Sequence, residues 1–258
     1  MIYMINMIGE ISMKFILYNI RYGTGKYLNQ PFKHVRGYLS KSEEHIIKIG
    51  EFLSSYDADI VGLVEVDLGS YRANNKNQAE ILGKILNSNH IYRHKYEDDS
   101  SMMKVPILKR QGNAFLSKLD SDEKFHYFQK GMKKLIIELE TDKFVIFLVH
   151  LALGGKTRLH QIVELYDLMD QCDKPFIVAG DFNLFWGEEE ISLFLKALNF
   201  KNANINNKPT YPSWNPKKTL DFILYSDKIK IKSFDVLKCN LSDHLPLFID
   251  FEVENGTE

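Results

Sequence analysis

The most constraining feature of this 258-residue sequence is a set of short apolar runs, each stopping abruptly at a residue that carries polar chemistry. Phe176-Ile177-Val178-Ala179-Gly180 runs into Asp181-Phe182-Asn183, Lys14-Phe15-Ile16-Leu17-Tyr18 into Asn19, and Asp59-Ile60-Val61-Gly62-Leu63-Val64 into Glu65. Phe144-Val145-Ile146-Phe147-Leu148-Val149 ends in His150, and Leu241-Ser242-Asp243-His244 leads into Leu245-Pro246-Leu247. Short runs rich in β-branched and aromatic residues read as strands whose bodies are buried. Where such a run ends in a carboxylate, carboxamide or imidazole, the rim of the sheet carries chemistry rather than packing. These strand ends offer Asn, Glu, His, Asp/Asn and Asp/His to one rim.

Helical segments separate the strands. Ser42 is placed to cap a helix in which Glu43 and Glu44 favour the positive end and Ile46, Ile47, Ile49, Phe52 and Leu53 form an apolar face. A second helix is expected over 77–87, with Ile81, Leu82, Ile85 and Leu86. A third starts near Thr157 and carries Ile162, Leu165, Leu168, Met169 and Cys172, and a fourth spans 188–198. Thr141-Asp142-Lys143 joins two strands as a β-hairpin, and Gly154-Gly155 reads as a flexible turn. Strands that alternate with helices in some places and pair directly in others predict mixed sheets with helices outside them.

An apolar content of 45%, with 17 Phe and 13 Tyr, suffices for a sizeable core. With no linker, repeat or low-complexity tract, we read one domain. The net charge of −1 and the lack of a basic run argue against an enzyme held on long duplex DNA by many phosphate contacts. Cys172 and Cys239 are too few for a disulfide framework and read as inert core thiols in a reducing compartment, giving a cytoplasmic expectation. The first eleven residues carry Glu10 and lack the basic start of a signal peptide, and nothing approaches a membrane span. Phosphate-binding P-loops, His-Glu-x-x-His, Cys-x-x-Cys and Gly-x-Ser-x-Gly motifs are missing.

Five motifs in order resemble those of the metal-dependent endonuclease/exonuclease/phosphatase superfamily, which also contains neutral sphingomyelinases and inositol-polyphosphate 5-phosphatases. They are Tyr18-Asn19, Val64-Glu65, Val149-His150-Leu151, Gly180-Asp181-Phe182-Asn183 and Ser242-Asp243-His244. Gly112-Asn113-Ala114-Phe115-Leu116-Ser117 is similar to the superfamily's Gly-Asn-Ala-Ile-Leu-Ser strand, and Leu220-Asp221-Phe222-Ile223-Leu224 to its Ile-Asp-Tyr-Ile strand. The resemblance runs from Met13 to Phe251. It implies an α/β fold, a four-layer α/β sandwich of two packed mixed sheets flanked by helices, with the site at one end. On this reading 1–12 is an N-terminal extension, 13–253 the catalytic domain and 254–258 a tail.

Phosphate ester hydrolysis needs a cation against developing charge, a base for water and donors for the phosphoryl oxygens. Glu65 offers a hard oxygen ligand suited to Mg²⁺. The resemblance implies Mg²⁺ as cofactor, with Mn²⁺ as substitute, and adds Asn19 and Asp243 to the metal region. It assigns Asp181 to the attacking water, Asn183 to the transition state and His244 to a phosphoryl oxygen, with Asp221 accepting the other ring proton of His244. His150 is a second phosphate donor, and Asn113 and Arg72 bind substrate. Asp181 and Asn183, two apart, face the same way on an extended segment. Taken singly, these residues have plainer readings: a solvated Glu65, an Asx turn at Asp181, a structural His150 and an exposed loop Arg72. Arg21, Tyr22, Tyr96 and Trp186 are further candidates for the pocket wall.

DNA-repair members show Ser-Trp-Asn and Gln-Glu-Thr-Lys segments, where this chain has Leu17-Tyr18-Asn19 and Val64-Glu65-Val66-Asp67. Tyr18-Asn19-Ile20-Arg21-Tyr22-Gly23 and Thr210-Tyr211-Pro212-Ser213 look closer to the bacterial branch related to sphingomyelinases. The expected function is a Mg²⁺-dependent phosphodiesterase acting on a lipid headgroup or other small phosphodiester. A nuclease acting on DNA or RNA is the alternative, and a non-catalytic binding protein on the same fold the second.

Overall fold

In the computed structural model, which describes residues 12–25, 42–187, 191–192, 195–196 and 199–254, the apolar runs are strands covered on both faces. Successive side chains of a strand point to opposite sides, so a run apolar at every position needs packing on both. In β1 (Met13–Asn19), Phe15 and Leu17 enter one core cluster while Ile16 and Tyr18 enter another. β2 (Ile60–Asp67) divides in the same way.

The first sheet also contains β3 (Asn89–His94), β4 (Gln111–Ser117), β11 (Ile229–Val236) and β12 (Leu247–Val253), in the order β11-β12-β1-β2-β4-β3. The second contains β5 (Asp122–Tyr127), β6 (Leu135–Glu140), β7 (Val145–His150), β8 (Phe176–Asp181), β9 (Lys201–Asn202) and β10 (Asp221–Tyr225), in the order β5-β6-β7-β8-β10-β9. Across each sheet the pairing runs antiparallel, antiparallel, parallel, antiparallel, antiparallel. A parallel pair requires a crossover. The helix α1 (Glu43–Ser54) lies on the crossover from β1 to β2, and α3 (Gly155–Asp170) carries β7 to β8.

The cluster shared by both sheets, with Phe15, Phe115, Ile146, Ile177, Ile223 and Phe251, lies between them. A second cluster packs α1 and α2 (Gln78–Leu86) on the outer face of the first sheet, through Ile46, Ile49, Leu53, Leu82 and Leu86. The third packs Ile162, Leu165 and Met169 of α3 on the second sheet. The result is the expected four-layer sandwich.

Local expectations hold with some changes. α2 is capped by Asn77, whose side chain accepts from the Ala79 amide at 2.9 Å, and it closes on left-handed Asn87. Ser42 stands at the start of α1, but its hydroxyl accepts from Gln78 Nε2 at 3.0 Å instead of capping the helix. Ile47 faces outward at 43% exposure. Gly155 is the first residue of α3 rather than part of a flexible turn. The hairpin at Thr141-Asp142-Lys143 joins β6 to β7. Of the expected fourth helix, residues 191–192 and 195–196 are helical, and the rest lies outside the described residues, as does the 1–12 extension up to Ser12. Cys239 is buried and Cys172 half-buried. No helix among the described residues is long and apolar enough to cross a membrane.

Candidate active site

Period-two alternation brings the polar strand ends together. Phe15 and Leu17 face the inter-sheet core, so Asn19 does too; Ile146 and Leu148 lead to His150, Ile177 and Ala179 to Asp181, Ile223 back to Asp221, and Phe115 back to Asn113. All five side chains continue the inner face at one end of the sandwich.

Glu65 reaches this end differently. It does not close its strand, since β2 runs on to Asp67. The β2–β4 register instead breaks between Leu63 and Val66, so Val64 and Glu65 oppose Asn113 alone. This is a β-bulge, and such bulges re-aim side chains. Glu65 sits at φ +58°, a conformation that costs a non-glycine residue about 1–3 kcal/mol and persists only where the surroundings enforce it. Its amide donates to Asn113 Oδ1 at 3.2 Å, and its carboxylate lies 3.9 Å from His150 Nε2 on the other sheet. Next to the site, a Cβ on Gly180 would overlap the Val149 carbonyl oxygen, so only glycine lets β7 and β8 approach so closely beside Asp181.

Asp181 is the hub. Its Oδ2 accepts from Asn19 Nδ2 at 3.1 Å and lies 3.3 Å from His150 Nε2 and 3.9 Å from His244 Nε2. Its Oδ1 accepts from the Asn183 amide at 2.9 Å. Burial works to raise the Asp181 pKa, but His244, His150 and Lys133 outweigh it and hold the carboxyl well below the usual range. Asn183 is left-handed at φ +53° and directs Nδ2 to the Leu151 carbonyl at 2.8 Å. The extended geometry expected for Asp181 and Asn183 therefore gives way to an Asx turn that fixes Asp181.

The two imidazoles differ. His244 Nδ1 bonds Asp221 Oδ2 at 2.8 Å, and Thr210 Oγ1 donates to the same oxygen at 2.6 Å. Burial opposes charge on His244, yet Asp221 and Asp181 lift its pKa to about 10, so it is a cation at neutral pH. His150 is pushed down by burial and by Lys133 against the pull of Asp181 and Glu65, and is neutral. A neutral ring nitrogen can accept from the adjacent Lys133 ammonium or donate to Asp181, but not both, so the two groups compete for His150 Nε2.

Asp243 lies 3.4 Å from Arg21 Nε, and its pKa is raised by burial, with Glu65 contributing. Arg72 does not join the group. Its guanidinium has no exposed surface, donates to Asp67 Oδ2 at 2.8 Å and stacks 4.5 Å from the Tyr22 ring centre. The substrate-contact expectation for Arg72 is corrected: the side chain is structural, because a Gly-Ser turn folds it back onto Asp67. Trp186 is 85% exposed, and Tyr22 and Tyr96 are buried.

Asp181, Asp221 and His244 place one donor atom each within 4.8 Å of one another, close enough to hold a metal ion. A protonated imidazole has no lone pair to offer, so that trio is better described as an ion-paired relay. Glu65 and Asp243 with Asn19 offer two carboxylates and a carboxamide oxygen, the donor type a hard divalent cation takes, and a cation there would relieve the repulsion between Glu65 and Asp243.

Sequence reasoning missed Thr210, Lys95 and Lys133 as site residues. The Thr210-Tyr211-Pro212-Ser213 segment was legible, and the structure wraps it around the relay: Tyr211 packs 5.0 Å from the His244 ring, and Ser213 Oγ donates to the Ser242 carbonyl at 2.6 Å. Nothing in the sequence around Lys95 or Lys133 distinguishes them from surface lysines.

The model of the Endonuclease/Exonuclease/phosphatase family matches residues 16–244. No curated protein sequence matches the chain. Solved structures with this fold include an endonuclease/exonuclease/phosphatase family protein from Bacteroides thetaiotaomicron, with TM-score 0.72 and 16% identity, covering 96% of this chain and 100% of that one. The mannosyl-6-phosphatase of the same species gives 0.67 and 16%, covering 93% and 99%. The human Nocturnin catalytic domain with bound sulfate gives 0.66 and 22%, covering 95% and 96%. The chain thus belongs to the endonuclease/exonuclease/phosphatase family and is a phosphoester hydrolase.

Proposed function

We propose that the protein is a Mg²⁺-dependent phosphodiesterase for a lipid headgroup or another small phosphodiester. The observation that carries the chemistry is the convergence on Asp181 of Asn19, a neutral His150 and a charged His244. Glu65 would hold Mg²⁺ with Asn19 and Asp243, and the bound ion would supply Lewis-acid neutralisation of phosphoryl charge.

The remaining work belongs to the protein. Asp181 stays ionised at neutral pH, so it can take a proton from the attacking water, and Asn19 and the Asn183 amide orient its two oxygens. Asp221 and Thr210 fix His244 through Nδ1, leaving the Nε2 proton as a charged donor to a phosphoryl oxygen. The substrate half rests on the Thr210–Ser213 segment, similar to the sphingomyelinase-related branch, which braces both Asp221 and the Ser242-Asp243 turn.

The test is hydrolysis with EDTA or with Mg²⁺ across bis(p-nitrophenyl) phosphate, p-nitrophenyl phosphate, sphingomyelin, phospholipids, RNA and DNA. Mg²⁺-dependent turnover of small or lipid diesters above nucleic acids is expected. Efficient DNA cleavage at physiological salt, with no action on the other diesters, would overturn the substrate class. Absence of metal-dependent hydrolysis on every ester would favour a binding protein.

A further inference from the structure

Two lysines beside the site touch no reacting group in the steps described above, where Lys133 acts through its charge on Asp181 and His150. Lys95 follows β3, and its ammonium lies 3.2 Å from Tyr22 Oη and 5.1 Å from the centre of the Tyr96 ring. Lys133, ahead of β6, reaches His150 Nε2 while Gln161 Nε2 holds its carbonyl at 2.8 Å. With Asn113, Lys134, Leu135 and His150, the two line a crevice that is closed to a water-sized sphere while the Lys133 ammonium lies across it.

Charge separates these lysines from their neighbour. Lys134 is paired with Glu97 at 2.8 Å, whereas among the described residues neither Lys95 nor Lys133 has a carboxylate within 4.0 Å. Glu65 acts on Lys95 and Asp181 on Lys133 from a distance, and in the proposed mechanism the Glu65 charge is committed to the metal. Partly buried charge without a counterion is costly. An anion entering the cleft would remove that cost. Asn113 Oδ1 is fixed by the Glu65 amide, so its Nδ2 remains as a further donor on the cleft wall.

We propose that Lys95 and Lys133 form a subsite for a dianionic phosphomonoester group, so that the preferred substrate carries a terminal phosphate beside the scissile ester. A phosphomonoester carries about −1.5 to −2 charges at neutral pH, matching two ammonium groups where a plain diester offers a single charge. This inference rests on the phosphoesterase reading and narrows its substrate. Lys133 must swing from His150 as the phosphate enters, because the cleft is narrow while the ammonium lies across it.

The probe is inorganic phosphate, titrated calorimetrically into EDTA-treated wild-type, Lys95→Met, Lys133→Met and Lys95→Arg proteins, with melting temperatures measured alongside. Each Met variant should bind phosphate roughly tenfold or more weakly, the loss of one charge-assisted contact. Lys95→Arg should retain binding. Because Lys95→Met removes a partly buried uncompensated charge, it should melt at or above the wild-type temperature, which separates lost binding from lost folding.

In steady-state assays with Mg²⁺, kcat/KM should fall more for a p-nitrophenyl diester bearing a terminal phosphate than for bis(p-nitrophenyl) phosphate. Unchanged phosphate affinity in both Met variants, or equal losses on both diesters, would overturn the subsite. A wild-type preference for p-nitrophenyl phosphate over both diesters would place the dianion at the reacting phosphorus and overturn its position beside it. Lysine-dependent phosphate binding in a protein that hydrolyses no ester would leave the subsite standing and remove the proposed function instead.

Discussion

The two sheets share a pairing pattern but present opposite chemistry at the site. Asn19 of β1, Glu65 of β2 and Asn113 of β4 occupy positions that correspond to His150 of β7, Asp181 of β8 and Asp221 of β10. On the first sheet these are two carboxamides and one carboxylate, and the Glu65 side chain is 19% exposed. On the second they are two buried carboxylates and an imidazole, joined by His244. On the proposed reading the first sheet would offer oxygen ligands that need no proton, while the second would position protons. One backbone arrangement serves both because strand alternation sets direction only, and residue identity with burial sets charge.

If the second sheet is the proton-handling half, its loss is the most severe. His244→Ala and Asp181→Asn should each lower kcat by roughly a hundred- to ten-thousandfold, as removal of a positioned acid/base group or transition-state donor does, checked by steady-state kinetics on folded protein. Asp221→Ala should cost less, since Asp221 acts through His244; an equal loss would mean that Asp221 touches substrate itself.

The first sheet should fail in its response to metal. Glu65→Gln is expected to weaken activation by Mg²⁺ by at least roughly tenfold, the scale on which even outer partners of a metal site matter, while leaving the melting temperature without metal near that of wild type. A Mg²⁺ titration that superimposes on wild type would remove Glu65 from the metal.

Arg72 tests the boundary of the site. Arg72→Met leaves Asp67 buried without its partner and should destabilise the fold by about 3–5 kcal/mol in chemical denaturation, with turnover of the folded fraction largely kept. A large fall in kcat without loss of stability would restore Arg72 to substrate binding.

The smallest effect is a titration. In the metal-free protein the His244 ring should lose its proton near pH 10 and His150 should hold one only below the ordinary histidine value, read by NMR of the ring protons. The signs follow from linkage. The raised His244 pKa contributes stability that is complete below about pH 6.5, the unfolded value, and is lost as pH climbs through about 10. The depressed His150 pKa contributes stability above about pH 6.5, lost as pH falls through its lower folded value. Two rings titrating together near neutrality would contradict the division between them.

The sequence by itself determined β1, β2, β6, β7 and β8, the helices α1 to α3 and the identity of the polar residues that end those strands, because each rests on local periodicity and on residues adjacent in the chain. β3, β5, β9, β11 and β12 carry no comparable run and emerged with the fold. The motif order was enough to name the family. What only the tertiary structure decided was direction and charge. The bulge that turns Glu65 inward depends on pairing between β2 and β4, and the Arg72 ion pair on a fold-back that buries both partners. The opposite protonation of His150 and His244 comes from carboxylates and a lysine distant in sequence. Lys95 and Lys133 lie 38 positions apart in a sequence containing many lysines and meet only where the two sheets close on one cleft. Periodicity is a property of neighbours along the chain, whereas desolvation and Coulomb interaction depend on neighbours in space.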